Sequence, residues 1–203
     1  MLSKFLTSKY SAFIFDCDGT IADTMGIYYR AWNRAIATCG GRKPIGWEDF
    51  RASGGRCLRE TVGEYNQTTG SDLDPDHLMA YMEENVKELL PQFKPVGPVV
   101  ELIRREKTRP MAVASSGKRE NVKFVLDKIG IRDCFKAVVT REDVKHAKPA
   151  PDLFLKASEL LGVEPDRCIV FEDSPLGEEA ATAIGMACHR IPYDWWDSKL
   201  REE

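Results

Sequence analysis

No apolar run in this 203-residue chain approaches the length of a bilayer span, and no stretch is densely basic. With a net charge of -3, the chain lacks the electrostatic footprint of a nucleic-acid binder. Residues 1–9 are too few and too polar for a secretory signal. Six cysteines stand at 17, 39, 57, 134, 168 and 188, without a CxxC pair or a nearby histidine. Neither a zinc site nor a disulfide framework is expected, and most of these thiols read as small core residues in a reducing cytoplasm. No internal repeat or low-complexity segment is visible. The absences together predict a cytoplasmic globular monomer that binds neither nucleic acid nor membrane.

What is present falls into two patterns. Ser11-Ala12-Phe13-Ile14-Phe15 is an apolar, aromatic run suited to a buried strand. After it come four helical stretches, at 25–39, 47–52, 58–67 and one opening at Asp74-Pro75-Asp76 and stopped by Pro91. From Pro95 onward strand and helix alternate: helices at 99–107, 118–129, 152–161 and 176–184, strands at 111–115, 135–140, 168–171 and 187–191. Strands separated by helices of ten to fifteen residues imply right-handed crossovers and a mainly parallel sheet. The expected fold class is α/β: a doubly wound, Rossmann-like core of residues 1–22 and 95–203. Residues 23–94 form an inserted helical bundle, hinged near Asp23 and Pro95. The adjacent tryptophans of Tyr193-Asp194-Trp195-Trp196-Asp197 read as packing on the sheet edge, or as an oligomer contact.

The chemistry-bearing residues gather at strand ends. Asp16 and Asp18 close the first strand and precede Gly19 and Thr20; Ser115 and Ser116 close the 111–115 strand. Lys148 lies in the loop after the 135–140 strand, and Glu172 and Asp173 end the 168–171 strand. Singly, each has a structural use: Asp16 and Asp18 can cap a turn, Ser116 can cap a helix, Asp173 with Ser174-Pro175 can cap another, and most lysines are solvated. In a parallel sheet, however, all these ends lie along one edge, where open α/β folds keep their ligands. Four carboxylates there repel one another unless a cation sits among them, and an all-oxygen set suits Mg²⁺. Lys148 and Ser115 then face an anion beside that metal. The combination fits phosphoryl transfer through an aspartyl phosphate.

The motifs Phe15-Asp16-Cys17-Asp18-Gly19-Thr20, Ser115, Lys148-Pro149-Ala150-Pro151-Asp152 and Glu172-Asp173 occur in this order and at suitable spacing. They resemble the four motifs of the haloacid dehalogenase-like hydrolases, and the likeness covers nearly the whole chain. The helical insert resembles the cap of the branch holding β-phosphoglucomutase and small sugar-phosphate phosphatases. The resemblance implies Asp16 as nucleophile and Asp18 as general acid, then base. It implies Mg²⁺ held by Asp16, by the backbone carbonyl of Asp18 and by Asp173, with Glu172 a ligand or a neighbour of one. Ser115 and Lys148 would bind phosphate oxygens, helped by backbone N–H groups near Cys17 and Ser116.

Substrate choice falls to the cap. Gly54-Gly55-Arg56 resembles the family's specificity loop, and Arg56 or Arg59 could pair with a distal anionic group. Asp23, Thr24 and Trp32 are further candidates for the cleft, Trp32 also reading as cap core. Where the mutases carry a histidine, twelve residues past the nucleophile, this chain has Tyr28. A tyrosine cannot readily shuttle protons at neutral pH, which favours hydrolysis. The expectation is a Mg²⁺-dependent phosphatase of a small sugar phosphate such as fructose 1-phosphate. The alternatives are a phosphosugar mutase and, in another class, a phosphoryl-accepting signalling module.

Overall fold

The computed structural model describes residues 9–53 and 58–193. Gly54, Gly55 and Arg56 of the expected specificity loop, and the tryptophans at 195 and 196, lie outside the described residues. The chain divides into two compact units, one containing residues 9–23 and 94–193, the other 24–53 and 58–93.

In the first unit, β1 (Ala12–Phe15), β4 (Met111–Ser115), β5 (Ala137–Thr140), β6 (Cys168–Glu172) and β7 (Ala187–Arg190) form a five-stranded sheet in the order β5-β4-β1-β6-β7. Every pairing is parallel, with Phe15 opposite both Val113 and Phe171. β1, β4 and β6 are buried at every residue, which is why they read as unbroken apolar runs rather than alternations. Because side chains alternate across a strand, Ala12 and Ile14 face one way and Phe13 and Phe15 the other. Ala12 and Ile14 join Ala112, Val139 and Val170 in a core closed by Leu153, Phe154 and Ala157 of α7 (Asp152–Leu161) and Ala180 and Ala181 of α8 (Pro175–Thr182). On the opposite face Phe15 stacks on Phe171 at 4.7 Å between ring centroids, and Phe13 meets Phe171 edge-on at 5.4 Å. The remaining helices of this unit are α5 (Gly97–Arg105) and α6 (Arg119–Ile129). The first starts two residues earlier than the sequence suggests, because Val96 is its N-cap and Pro98 falls in its first turn.

Two short strands escape the sequence pattern: β2 (Ala22–Asp23) and β3 (Lys94–Pro95) pair antiparallel, Ala22 with Pro95 and Asp23 with Lys94. They bring together the points where the chain leaves and re-enters this unit.

The second unit holds α1 (Met25–Thr38), α2 (Trp47–Ala52), α3 (Leu58–Thr69) and α4 (Pro75–Leu89). Its core is Trp32, Ala35, Ile36, Phe50, Val62, Tyr65, Leu73 and Leu78, drawn from all four helices and the segment before α4. Asp74 caps α4 by accepting from the His77 N–H at 2.8 Å, with Pro75 at the first helical position. Asn33 fixes the α1–α2 connection by accepting from Ile45 N–H at 2.8 Å and donating to its carbonyl at 3.3 Å.

The five described cysteines are free thiols. Cys17 and Cys168 are buried and half-buried Cys39 and Cys188 pack against the hydrophobic cores, so among the described cysteines Cys134 is the one that departs from the core reading. Cys39 follows the last turn of α1, Cys134 sits in a connecting turn, and Cys188 lies on an edge strand. Among the described residues no helix is long and apolar enough to cross a membrane.

Candidate active site

β1 and β6 are adjacent and parallel, so their final residues deliver Asp16 and Glu172-Asp173 to the same edge of the sheet. The ladder continues one step beyond β1, where Asp16 N–H donates to the Phe171 carbonyl at 2.9 Å. The chain then turns sharply: the Cys17 carbonyl accepts from Ile21 and Ala22 N–H at 2.9 and 3.0 Å, and Gly19 adopts φ 82°, a left-handed conformation suited to glycine. This turn half-buries Asp18 and fully buries Thr20.

Asp16, Lys148, Glu172 and Asp173 are all buried. Lys148 Nζ donates to Asp16 Oδ1 at 2.6 Å and to Glu172 Oε2 at 2.8 Å. The other Glu172 oxygen, Oε1, accepts from Ser174 Oγ at 2.6 Å and Ser174 N–H at 3.2 Å. Ser174 Oγ in turn accepts from Gly177 N–H at 3.0 Å, capping α8. Thus Ser174, not Asp173, is the helix cap. A Cβ on Gly177 would lie 2.1 Å from Glu172 Cδ, so only glycine leaves room for this carboxyl. Asp173 keeps its carboxyl for other work, with Thr20 Oγ1 donating to Oδ1 at a long 3.5 Å.

The neighbouring strand end brings Ser115 and Gly117. Ser115 Oγ accepts from Gly117 N–H at 3.0 Å, which leaves its own O–H to donate. A Cβ on Gly117 would lie 2.9 Å from Asp18 Oδ2 and 3.1 Å from Ser115 Oγ, so both polar atoms converge on this glycine. Ser116 is not the cap of α6; Lys118 holds that position, without a side-chain bond. The buried Ser116 Oγ has no hydrogen-bond partner.

Three carboxyls share one ammonium here, and the electrostatics follow. Burial, then the charge of Glu172, push Asp16 up to about 8 against the pull of Lys148. Burial and the charges of Glu172 and Asp16 hold Asp173 well above the usual carboxylate range. Burial works against the charge of Lys148, yet Asp16 and Glu172 outweigh it and hold the lysine above its ordinary value. The lysine is therefore protonated, and the carboxyls are the groups short of positive charge. Cys17 is pushed up by burial and by Asp18 and Asp16, which disfavours a reactive thiolate. Oxygen atoms of Asp16, Glu172 and Asp173 lie within 4.8 Å of one another, an all-oxygen, charge-deficient set that fits a hard divalent cation.

Asp16, Lys148, Glu172 and Asp173 are thus brought together, with Asp18, Ser115 and Ser116 on the adjoining turns. Asp23 and Thr24 are buried where the chain passes from one unit to the other. Arg59 donates to Asp76 at 2.6 Å on the surface of the helical unit. Sequence reasoning missed Gly117, Gly177 and the bond of Ser174 to Glu172. A glycine inside a helix costs roughly 1 kcal/mol relative to alanine, and that cost was the available signal for Gly177. It also missed Arg190 and Tyr193, which donate to the Asp173 carbonyl.

The family model described as haloacid dehalogenase-like hydrolase matches residues 13–191. An uncharacterized protein of Haemophilus influenzae is 34% identical over 208 residues, covering 100% of this chain and 98% of its own. A fructose-1-phosphate phosphatase of Escherichia coli K12 is 36% identical over 180 residues, covering 88% of this chain and 94% of its own. The crystal structure of CbbY from Rhodobacter sphaeroides in complex with phosphate superposes with a TM-score of 0.77 at 25% identity, covering 91% of this chain and 88% of that one. With its strand-end acids, buried lysine and parallel sheet, and with the family's model running from the first strand to the last, the chain belongs to the haloacid dehalogenase-like hydrolases.

Proposed function

We propose that this protein is a Mg²⁺-dependent phosphatase that hydrolyses a small sugar phosphate, such as fructose 1-phosphate, through an aspartyl phosphate on Asp16. The observation that carries this reading is the buried contact of Asp16 Oδ1 with Lys148 Nζ at 2.6 Å, inside a cluster of three carboxyls. The resemblance to a fructose-1-phosphate phosphatase at 36% identity supports the substrate class.

In this mechanism Asp16 attacks phosphorus while Asp18 gives its proton to the departing alkoxide. Asp18 then takes a proton from water, whose oxygen attacks phosphorus and breaks the bond to Asp16. Phosphate leaves and the carboxylate is regenerated. Lys148 and the Ser115 hydroxyl hold non-bridging phosphate oxygens, with backbone N–H groups near Cys17 and Ser116. Mg²⁺ would be held by Asp16, the Asp18 carbonyl, Asp173 and Glu172, and when bound it supplies the charge neutralisation that lets a carboxylate approach a phosphate dianion. Glu172, bonded to Lys148 and Ser174, also orients the lysine.

The inserted helical unit serves as the cap that selects substrate, through Gly54, Gly55 and Arg56 with Asp23 and Thr24. Arg59 is the weaker candidate arm because Asp76 already holds it. Tyr28 in place of the mutases' histidine supports water as the acceptor.

Phosphate release from a panel of sugar phosphates and an aryl phosphate, with Mg²⁺ or with EDTA, tests the reading. Metal-dependent release, strongest on a sugar phosphate and abolished in Asp16→Asn, is expected. Absence of release from every member removes the phosphatase claim, and isomerisation of a sugar phosphate without release would make the protein a mutase.

A further inference from the structure

Two side chains that take no part in the acid–lysine cluster grip the backbone of Asp173. Arg190, the last residue of β7, donates through Nη2 to the Asp173 carbonyl. The Tyr193 hydroxyl donates to the same oxygen at 3.0 Å, and Nη2 also donates to Tyr193 Oη at 3.0 Å, closing a triangle. Arg190 Nη1 reaches Glu178 Oε2 on α8 at 3.2 Å, which fixes the guanidinium from its far side. The preceding peptide is held from the same segment, where Ile191 N–H donates to the Glu172 carbonyl at 2.8 Å.

This grip matters because the Asp173 carboxyl is poorly anchored itself, with Thr20 Oγ1 at the 3.5 Å limit of a hydrogen bond. Its other partner is its own backbone N–H. Its aim is therefore set by its backbone, and two consecutive carbonyls fix that backbone.

We propose that Arg190 and Tyr193 are positioning residues for the Asp173 carboxylate, and that they set the affinity of the divalent cation site without touching the cation. This rests on the reading of Asp173 as a metal ligand. The sign of the effect separates positioning from electrostatics. By Coulomb's law, removing a guanidinium, and so unpairing Glu178, makes the neighbourhood more negative and tightens cation binding. Loss of positioning loosens it, as substituting groups that orient metal ligands commonly does by 10- to 100-fold.

Mn²⁺, which favours the same octahedral oxygen sites as Mg²⁺, is titrated into the full chain and its free ion followed by electron paramagnetic resonance. The proteins are wild type, Arg190→Met, Tyr193→Phe and Asp173→Asn. Arg190→Met is expected to bind about tenfold more weakly, and Tyr193→Phe about threefold, with the KM for the phosphate ester unchanged and excess Mg²⁺ restoring kcat. Wild-type or tighter Mn²⁺ binding in these variants, while Asp173→Asn loses it, overturns the positioning role and leaves the metal site standing. Wild-type binding in Asp173→Asn overturns the ligand assignment itself. If Arg190→Met fails to fold, Tyr193→Phe, which removes one hydroxyl, decides alone.

Discussion

Replacing Asp173 with asparagine should make the metal-free protein more stable while destroying its response to Mg²⁺. Oxygens of Asp16, Glu172 and Asp173 lie within 4.8 Å of one another, and burial with the charges of Glu172 and Asp16 holds the Asp173 carboxyl protonated where an unfolded aspartate, at 3.8, is ionised. At pH 7 folding must therefore take up a proton, which at about 1.4 kcal/mol per pH unit costs up to about 4 kcal/mol, and a buried amide loses about 1 kcal/mol in imperfect hydrogen bonds. The net gain is about 2–3 kcal/mol, or about 5–10 °C in Tm for a chain of this size. Differential scanning fluorimetry in EDTA and in saturating Mg²⁺ reads both effects. The pH dependence has a definite sign. Asp16 titrates near 8 when folded against an ordinary 3.8, so between those values the folded form holds the extra proton. Its contribution is therefore fully present below about 4 and is lost as pH rises toward 8, with a slope of up to about 1.4 kcal/mol per unit. The metal-free protein should lose Tm from pH 5 to 8, and saturating Mg²⁺ should flatten that slope. An Asp173→Asn protein less stable than wild type in EDTA, or one that keeps the full Mg²⁺ shift, would refute the reasoning.

Three further outcomes follow from the same geometry. Gly177→Ala forces a Cβ to 2.1 Å from Glu172 Cδ, and overpacking of about 2–3 kcal/mol exceeds the helix-propensity gain of about 1. Urea denaturation should show a net loss of about 1–2 kcal/mol, whereas a stabilised variant would mean that the carboxyl moves freely. Lys148→Met leaves two buried carboxyls without their cation and should cost about 3 kcal/mol along with phosphatase activity; an unchanged urea midpoint would contradict the pairing. Burial pushes the thiols of Cys168 and Cys188 up to about 11 and about 12, so at pH 8 iodoacetamide should label them at least about 100-fold more slowly than a free cysteine. Mass spectrometry of the native protein measures this, and rapid labelling of either would dispose of it.

The elements easiest to see in the sequence were those whose residues are buried on both faces. Ala12–Phe15, Met111–Ser115 and Cys168–Glu172 are continuous apolar runs because helices cover the sheet. Their ends carried the acids and the serine, so the topology alone aligned Asp16 with Glu172 and Asp173. The pair β2 and β3 was invisible, since two-residue strands have no periodicity and exist only through a partner far along the chain. Arg190 was equally hidden: a half-buried arginine on an edge strand looks like any solvated one until the backbone carbonyl it reaches is known. Glu172 was legible as an acid at the site, but not as the link between Lys148 and the start of α8, which depends on the missing Cβ of Gly177.

The small ladder of Ala22 with Pro95 and Asp23 with Lys94 has a consequence for how such a chain can change over generations. Directly opposed residues in an antiparallel pair have Cα atoms only about 5 Å apart, so exit and return occupy almost one place. Anything whose two ends can meet there can be spliced in without asking the sheet to adjust. Removing residues 24–93 would leave a gap that one or two glycines can close. The core thus offers a socket, in which a helical cassette can be exchanged while the acids that precede Gly19 stay where they are.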